Sequence, residues 1–458
     1  MENFWDYSVW STFLLIGILL SSLLVANILK KNIPFMQDSL IPTSVLGGGI
    51  LLILSGIIKA ITGQTLFEAA IFDGRAYGTL EMLTYHTLAL GFIASTFKSS
   101  DQKLSKKRAT EIFNTGVNTV STYLLQAVVG FGITIIASFI LKDFFKAAGV
   151  LLPFGFGQGT GQAMNYGNIY ETEFGFSGGK SFGLTIAALG FLSASIGGVI
   201  HLNILKRKGL LKKSGEKDAL NREQIEAENE IPMQESMDKM TVQIALIAVA
   251  YILSYGLMVA LGALLPGMKS VIFGFNFLLG VLAATLVKFI LNLLKKMNWR
   301  KKEYTNDFLM TRASNFFFDL MVVAGIAAIR LDVLEKYWGI MLILGMVGLA
   351  ITYIYNRITA KALFPEYEQE QFLTMYGMLT GTASTGIILL REIDGDFKTP
   401  ASDNLVYQNF PAIVFGFPMM LLATLAPQKP YLTLLILALF FIAMNIILFR
   451  SFIFRKKK

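Results

Sequence analysis

The chain has 458 residues, of which 54% are hydrophobic and only 16% charged, and its mean hydropathy is +0.57. A soluble domain carries about 25% charged residues, so the composition excludes an ordinary water-soluble fold, and the lack of cysteine removes disulfides and cysteine–metal clusters. The net charge of +9 points to basic cytoplasmic loops rather than to nucleic acid, because such loops are the ordinary condition of a membrane protein.

The opening segment MENFWDYSVW is acidic and aromatic and lacks the basic n-region of a cleavable signal. Runs of about 20 apolar residues cross a hydrocarbon core roughly 30 Å thick. Such runs predict spans at 8–29, 40–58, 78–97, 112–141 and 181–205, then at 241–265, 270–294, 308–329, 337–356, 404–425 and 430–454. Two further stretches, 150–170 and 371–391, are broken by glycine and polar residues and are expected to enter and leave on one face. The expected fold is therefore an all-α polytopic membrane protein with about eleven transmembrane helices. With the N-terminus outside and the C-terminus cytoplasmic, roughly three quarters of the 40 Lys and Arg fall on the cytoplasmic face of the cell membrane.

A charged connector, 206–239, divides the chain into two halves, 1–205 and 240–425, followed by an additional helix and basic tail at 426–458. Pro42 matches Pro266, and the Gly159-Thr160 pair matches Gly381-Thr382, at nearly one offset. The first half begins outside and the second inside, which predicts inverted-topology repeats, each with a re-entrant loop.

In LLPFGFGQGTGQAMNYGNIYE, Gly155, Gly157, Gly159 and Gly161 alternate with larger residues. Two-residue spacing does not line one helix face, so a binding loop is the preferred reading over helix packing. LTGTASTGIILL, from Leu379 to Leu390, is its partner, although Gly377, Gly381 and Ser384/Thr385 also fit a small-residue helix face. Irregular backbone at membrane depth needs a cover of protein or a water-filled cavity. Half-helix N-termini there favour anions, and freed carbonyls suit cations. The candidate substrate contacts are Gly157, Gln158, Gly159, Thr160, Gly161 and Asn165 on the first loop, and Gly381, Thr382, Ser384, Thr385 and Arg391 on and after the second. Arg391 has two open roles, pairing with a substrate carboxylate or anchoring the loop at the surface.

An ionisable group at the bilayer centre costs about 2.5–3.5 kcal/mol on insertion scales and so faces protein or water. Arg312, Asn315 and Asp319 share one helix face. Asn315 and Asp319, with the Thr160 and Thr382 hydroxyls, are candidate oxygen ligands for Na⁺; the alternative is a static polar network with Arg312 snorkelling to the interface. Glu81 and His86 read more readily as an interfacial and a packing residue than as carriers of charge. Asn118, Thr122 and Gln126 form a polar stripe that lines a pathway or joins helices.

IPTSVLGGGILLIL, GQGTGQAMNYGNIYETEFGF and YGMLTGTASTG, in this order, resemble the bacterial sodium:glutamate symporter family, roughly from Leu14 to Leu422. The resemblance implies Na⁺-coupled glutamate transport by an elevator-type homodimer whose halves are inverted, with no other cofactor. Gln158 stands where the family has histidine, the second loop, Met378 to Thr385, lacks the family's proline, and the eleventh span exceeds the ten-span pattern. These departures leave open a related small anionic amino acid or carboxylate as substrate; the alternative functions are proton coupling or exchange, with Asp319 or His86 as the carrier, and a transport-dead sensor on the same fold. HExxH and Walker motifs are missing, so no enzyme is expected.

Overall fold

The apolar runs fold as helices, and polar residues between them close the helix ends. The computed structural model describes residues 3–38, 40–98, 105–209, 230, 232, 237–266, 269–297, 302–331, 337–394 and 398–453. The first half contains α1 (Tyr7–Asn32), α2 (Thr43–Thr62), α3 (Ala76–Thr96), α4 (Lys106–Ile140), α5 (Leu151–Phe174) and α6 (Gly179–Arg207). The second contains α7 (Lys239–Leu264), α8 (Asn276–Lys296), α9 (Asp307–Ala327), α10 (Trp338–Leu363), α11 (Glu368–Thr380), α12 (Ala383–Arg391), α13 (Ala401–Tyr407) and α14 (Asn409–Leu425), and α15 (Pro430–Leu448) follows. Ser105, Asp238 and Asn306 accept backbone N–H bonds at the starts of α4, α7 and α9, meeting donors that a helix start leaves unpaired. Gly63 and Gly175, both with positive φ, end α2 and α5.

Among the described residues nine helices are long and apolar enough to cross a membrane, or ten when a bent pair is counted as one span. The chain is a multi-pass α-helical membrane protein. The expected count of eleven differs from these at α3, the expected span 78–97. It forms 21 helical residues but is not among the sufficiently apolar helices. Glu81, His86 and four threonines dilute it, and α3 tolerates them because Glu81 pairs with Lys180 and Arg330, His86 pairs with Tyr251 of α7, and α5, α8 and α9 pack around the rest. The expected span 404–425 is the bent pair: Ala401–Tyr407 and Pro411–Leu425 meet at 51°, and Pro411 lacks the N–H a straight helix needs. The expected span 270–294 is also divided, into Lys269–Gly274 and α8. At 35 residues α4 is about 52 Å long and overreaches the hydrocarbon core.

Helix pairing follows a recurring scheme. α1 lies against α2, and α7 against α8; α2 packs on α9, and α8 on α3; α6 packs on α10, and α14 on α4. α3 meets α9, and α4 meets α10. The largest apolar cluster surrounds α5, with Leu152, Phe154 and Phe156 joined by Phe131, Ile186, Phe191 and Met321. α15 lies along α4. Most of the expected connector 206–239, and the basic tail 454–458, lie outside the described residues. Glu230 is described; it accepts bonds from Lys239 Nζ at 2.8 Å and Asn306 Nδ2 at 2.6 Å.

Candidate functional site

α5 is two helices joined at one residue. Gly159 has φ 76° and ψ −170°, a conformation essentially confined to glycine. The rings of Phe154 and Tyr166 stack with centroids 3.8 Å apart. An unbroken helix would separate residues 12 apart by about 18 Å, so the arms 151–158 and 160–174 fold against each other at Gly159. The other glycines of the motif correct the expectation that two-residue spacing fits packing poorly. Gly155 faces Ile186, Gly157 the Tyr123 ring, and Gly161 Leu88, each too close to admit a Cβ without movement. An arm enclosed on several sides needs small residues on several faces, so the spacing need not follow one stripe.

The second broken stretch repeats the design. α11 ends at Thr380, Gly381 and Thr382 leave helical geometry, and α12 begins at Ala383. The arms cross where a Cβ on Gly377 would lie 2.8 Å from the Gly386 Cα. The Thr382 and Thr385 hydroxyls are 3.4 Å apart. The two breaks then meet: a Cβ on Gly159 would sit 3.3 Å from Thr382 Cγ2 and 3.9 Å from the Gly381 carbonyl oxygen. Beside this contact Thr160 donates to the Met321 carbonyl at 3.4 Å and packs under Gly325.

α4 positions both breaks. The Tyr123 hydroxyl donates to the Gly157 carbonyl at 3.0 Å, and Gln126 Nε2 donates to the Leu379 carbonyl at 2.9 Å and to Thr352 Oγ1 at 2.8 Å. Those carbonyls belong to last turns, where the helix supplies no donor. Tyr123 and Gln126 are one turn apart, which fixes the two breaks at nearly the same level along α4. The sequence-predicted stripe thus joins helices: Asn118 Nδ2 donates to Asn356 Oδ1 at 2.9 Å, and Asn356 donates to Thr122 Oγ1 at 3.4 Å.

The structure brings Gly157, Gly159, Thr160, Gly161, Gly381, Thr382 and Thr385 together at or next to the contact; Gln158 there is partly exposed. The side chain of Ser384 lies outside the described residues. Asn165 is two turns from the break and donates to the Gly274 carbonyl at 3.2 Å. It lines a pocket of about 340 Å³ with Glu81, Tyr85, Asn168, Thr172 and Lys180. Arg391 is exposed at the far end of α12 and is not brought to the breaks. Asn315 and Asp319 are also exposed. Met321, which touches Gly159, follows Asp319 by two residues, about 200° around α9, so this conformation turns the Asn315–Asp319 face away. Ser44 is the hydrogen-bonding neighbour of Asp319, and Arg312 lies over the Phe308 ring at 4.9 Å.

At the pocket mouth Glu81 accepts from Lys180 Nζ at 2.7 Å and faces Arg330 Nη2 at 3.6 Å. His86 Nδ1 pairs with the Tyr251 hydroxyl, a helix-joining contact. Sequence reasoning missed Tyr123, Gln162, Met321 and Gly325. Gln162 stands inside the quoted GQGTGQ motif, where only its burial distinguishes it from Gln158. No family model matches the chain, and no curated protein matches it.

Proposed function

We propose that this chain is a secondary carrier that couples Na⁺ to the movement of glutamate or a related small anionic amino acid or carboxylate, in the manner of the sodium:glutamate symporters it resembles. The observation that carries the proposal is the contact between Gly159 and Thr382. Each break there ends one helix and begins another, so two N-termini and two C-termini converge on one buried point. N-terminal amides suit the carboxylate and C-terminal carbonyls suit the cation.

The pairing scheme supports the inverted-repeat reading. Exchanging α1, α2, α3, α4 and α6 for α7, α8, α9, α10 and α14 turns α2–α9 into α8–α3 and α6–α10 into α14–α4, while α3–α9, α4–α10 and α5–α11 map onto themselves. In this reading both broken stretches are re-entrant, the N-terminus is outside, and the carrier is a homodimer with alternating access. Thr160 and Thr382 supply tip oxygens to the cation. Asn315 and Asp319 would serve a separate cation position on the other face of α9.

Counterflow of labelled glutamate into proteoliposomes, under imposed Na⁺ or pH gradients, tests the proposal. The expected result is uptake that requires Na⁺ and is indifferent to ΔpH. Uptake that follows ΔpH without Na⁺ overturns the coupling, and binding without counterflow identifies a sensor.

A further inference from the structure

α14 and α15 pack along α4 more extensively than on each other. Between them lies an open apolar groove of about 660 Å³. Pro418, Leu421 and Leu425 line it from α14, and Ile436, Leu439 and Ala443 from α15. Both sets step by three and four residues, so each wall is one helix face. Neither helix carries a charged side chain. Along α15 the lining runs from about 7.5 Å to about 18 Å below the level of Tyr431. That is about the depth of one leaflet of a hydrocarbon core roughly 30 Å thick. The end of the groove at the α14–α15 turn is basic. Lys429 in the turn is exposed, as are Lys142 and Lys146 in the segment after α4. Lys146 Nζ lies 5.6 Å from the centre of the Tyr431 ring, which brings that segment to the start of α15. Asp143 is the one acidic residue in segments 141–146 and 426–431, so three lysines against one aspartate leave two positive charges. Among the described residues none of the three lysines has a carboxylate partner.

We infer that the groove holds one acyl chain of an anionic phospholipid whose phosphate sits between Lys146 and Lys429. Bulk lipid tails are as apolar as the leucines of the walls, so the chain alone selects nothing. The headgroup carries the selection, because each lysine near the surface is worth about 5-fold in affinity for an anionic lipid. A second copy of the chain is the competing occupant. Set against this face about a two-fold axis, it would bring its own Lys146 and Lys429 toward these, like charge on like. An anionic lipid answers that charge instead of doubling it. The groove needs α15, the span beyond the ten-span pattern, and the inference does not depend on the substrate proposed above. Its consequence reaches the breaks through α4, which holds the Gly157 and Leu379 carbonyls with Tyr123 and Gln126. A lipid wedged between α14 and α15 braces both helices against α4.

The test uses the full chain, delipidated in a neutral detergent. Melting midpoints are titrated with phosphatidylglycerol, with phosphatidylcholine, and with glycerol phosphate, which carries the anion without the chains. The wild type is compared with the double variant Lys146→Gln/Lys429→Gln and with Ala443→Trp, which fills the groove and leaves the charge. The wild type is expected to bind phosphatidylglycerol about 25-fold more tightly than phosphatidylcholine, about 5-fold for each of two lysines. That preference should shrink in about 1 M salt, and glycerol phosphate should not stabilise. The double variant should melt with the wild type when no lipid is added and should bind the two lipids alike. Ala443→Trp should weaken both lipids. Equal binding of the two lipids by the wild type overturns the inference, as does a preference that survives in the double variant. Stabilisation by glycerol phosphate equal to that by phosphatidylglycerol removes the groove from the site and also overturns it. If Ala443→Trp fails to fold, the lysine variant decides alone. A wild type without lipid preference, whose mass by light scattering falls in the variants, assigns the face to a second copy and overturns the inference.

Discussion

Replacing Gly159 by alanine isolates the backbone geometry on which the candidate site depends. Its φ of 76° with ψ of −170° lies where only glycine is at ease. The added Cβ would sit 3.3 Å from Thr382 Cγ2, a tight contact that a small rotation relieves, so backbone strain dominates at about 1–3 kcal/mol. The chain has two escapes. It keeps the break and loses that much stability, or it returns residue 159 to a common conformation and separates Gly159 from Thr382. The second outcome reduces the competent population by about 5- to 150-fold for the same energy. Gly132→Ala is the control, since Gly132 lies within α4 with nothing within 4 Å of a new Cβ; it should stabilise by about 0.5–1 kcal/mol. Melting midpoints and glutamate counterflow are measured on both variants. If Gly159→Ala melts with Gly132→Ala and transports like the wild type, the broken geometry is not needed and the candidate site loses its foundation.

Three further outcomes follow from contacts around the site. Gln126→Leu removes the donor to the last-turn carbonyl of Leu379 and to Thr352; the stranded carbonyl should cost about 1–3 kcal/mol in a melting measurement, and no loss would mean another donor reaches it. Glu81→Gln breaks the ties to Lys180 and Arg330 at the pocket mouth. It should cost on the order of 1 kcal/mol, less in about 1 M salt, and a salt-independent difference would assign the loss to packing. Burial holds the Lys98 ammonium below its ordinary 10.5, with Asp307 opposing. A lowered lysine penalises the fold while charged, and the penalty fades as pH rises through the folded value toward 10.5. Lys98→Met should therefore raise the melting midpoint at pH 7 and gain nothing at pH 10.5; an unchanged gain at both would refute the charge as the cause.

Much of this architecture is legible in the sequence because hydrocarbon demands long apolar runs, and glycine with hydroxyl and amide residues inside such runs marks where a helix stops. Gly159 and Gly381 announce themselves in this way. The roles of the neighbouring glycines do not, because whether Gly155 or Gly161 loosens the chain or admits Ile186 or Leu88 depends on what the tertiary fold places beside it. The same limit applies to α9. Three- and four-residue steps put Arg312, Asn315 and Asp319 on one face, but nothing in that spacing says which neighbour the face meets, and the breaks meet the opposite one. The span at 78–97 is legible from its apolar run, but the partners of its polar residues, Lys180 and Arg330 for Glu81 and Tyr251 for His86, come from remote segments. The pairing of Glu81 with Lys180 and Arg330 joins residues remote in sequence and leaves no local signature.

In the carrier proposed above, the convergence of helix ends gives a physical reason for coupling. A helix N-terminus carries about half a positive charge and a C-terminus about half a negative one. Two of each leave the meeting point near neutral, so neither a cation nor an anion alone is matched there, while the pair is. Tyr123 and Gln126 already engage the Gly157 and Leu379 carbonyls, which blunts the negative ends and makes the anion's stabilisation of a nearby cation more important. A mutual effect of this kind must be reciprocal: the factor by which saturating Na⁺ tightens glutamate equals the factor by which glutamate tightens Na⁺. For a coupling of about 1–3 kcal/mol that factor is about 5 to 150. Glutamate titrations at several Na⁺ concentrations, paired with Na⁺ titrations at several glutamate concentrations, measure it from both directions. Glutamate affinity indifferent to Na⁺ would show that the converging helix ends hold the anion unaided, and symport would then need a different cause.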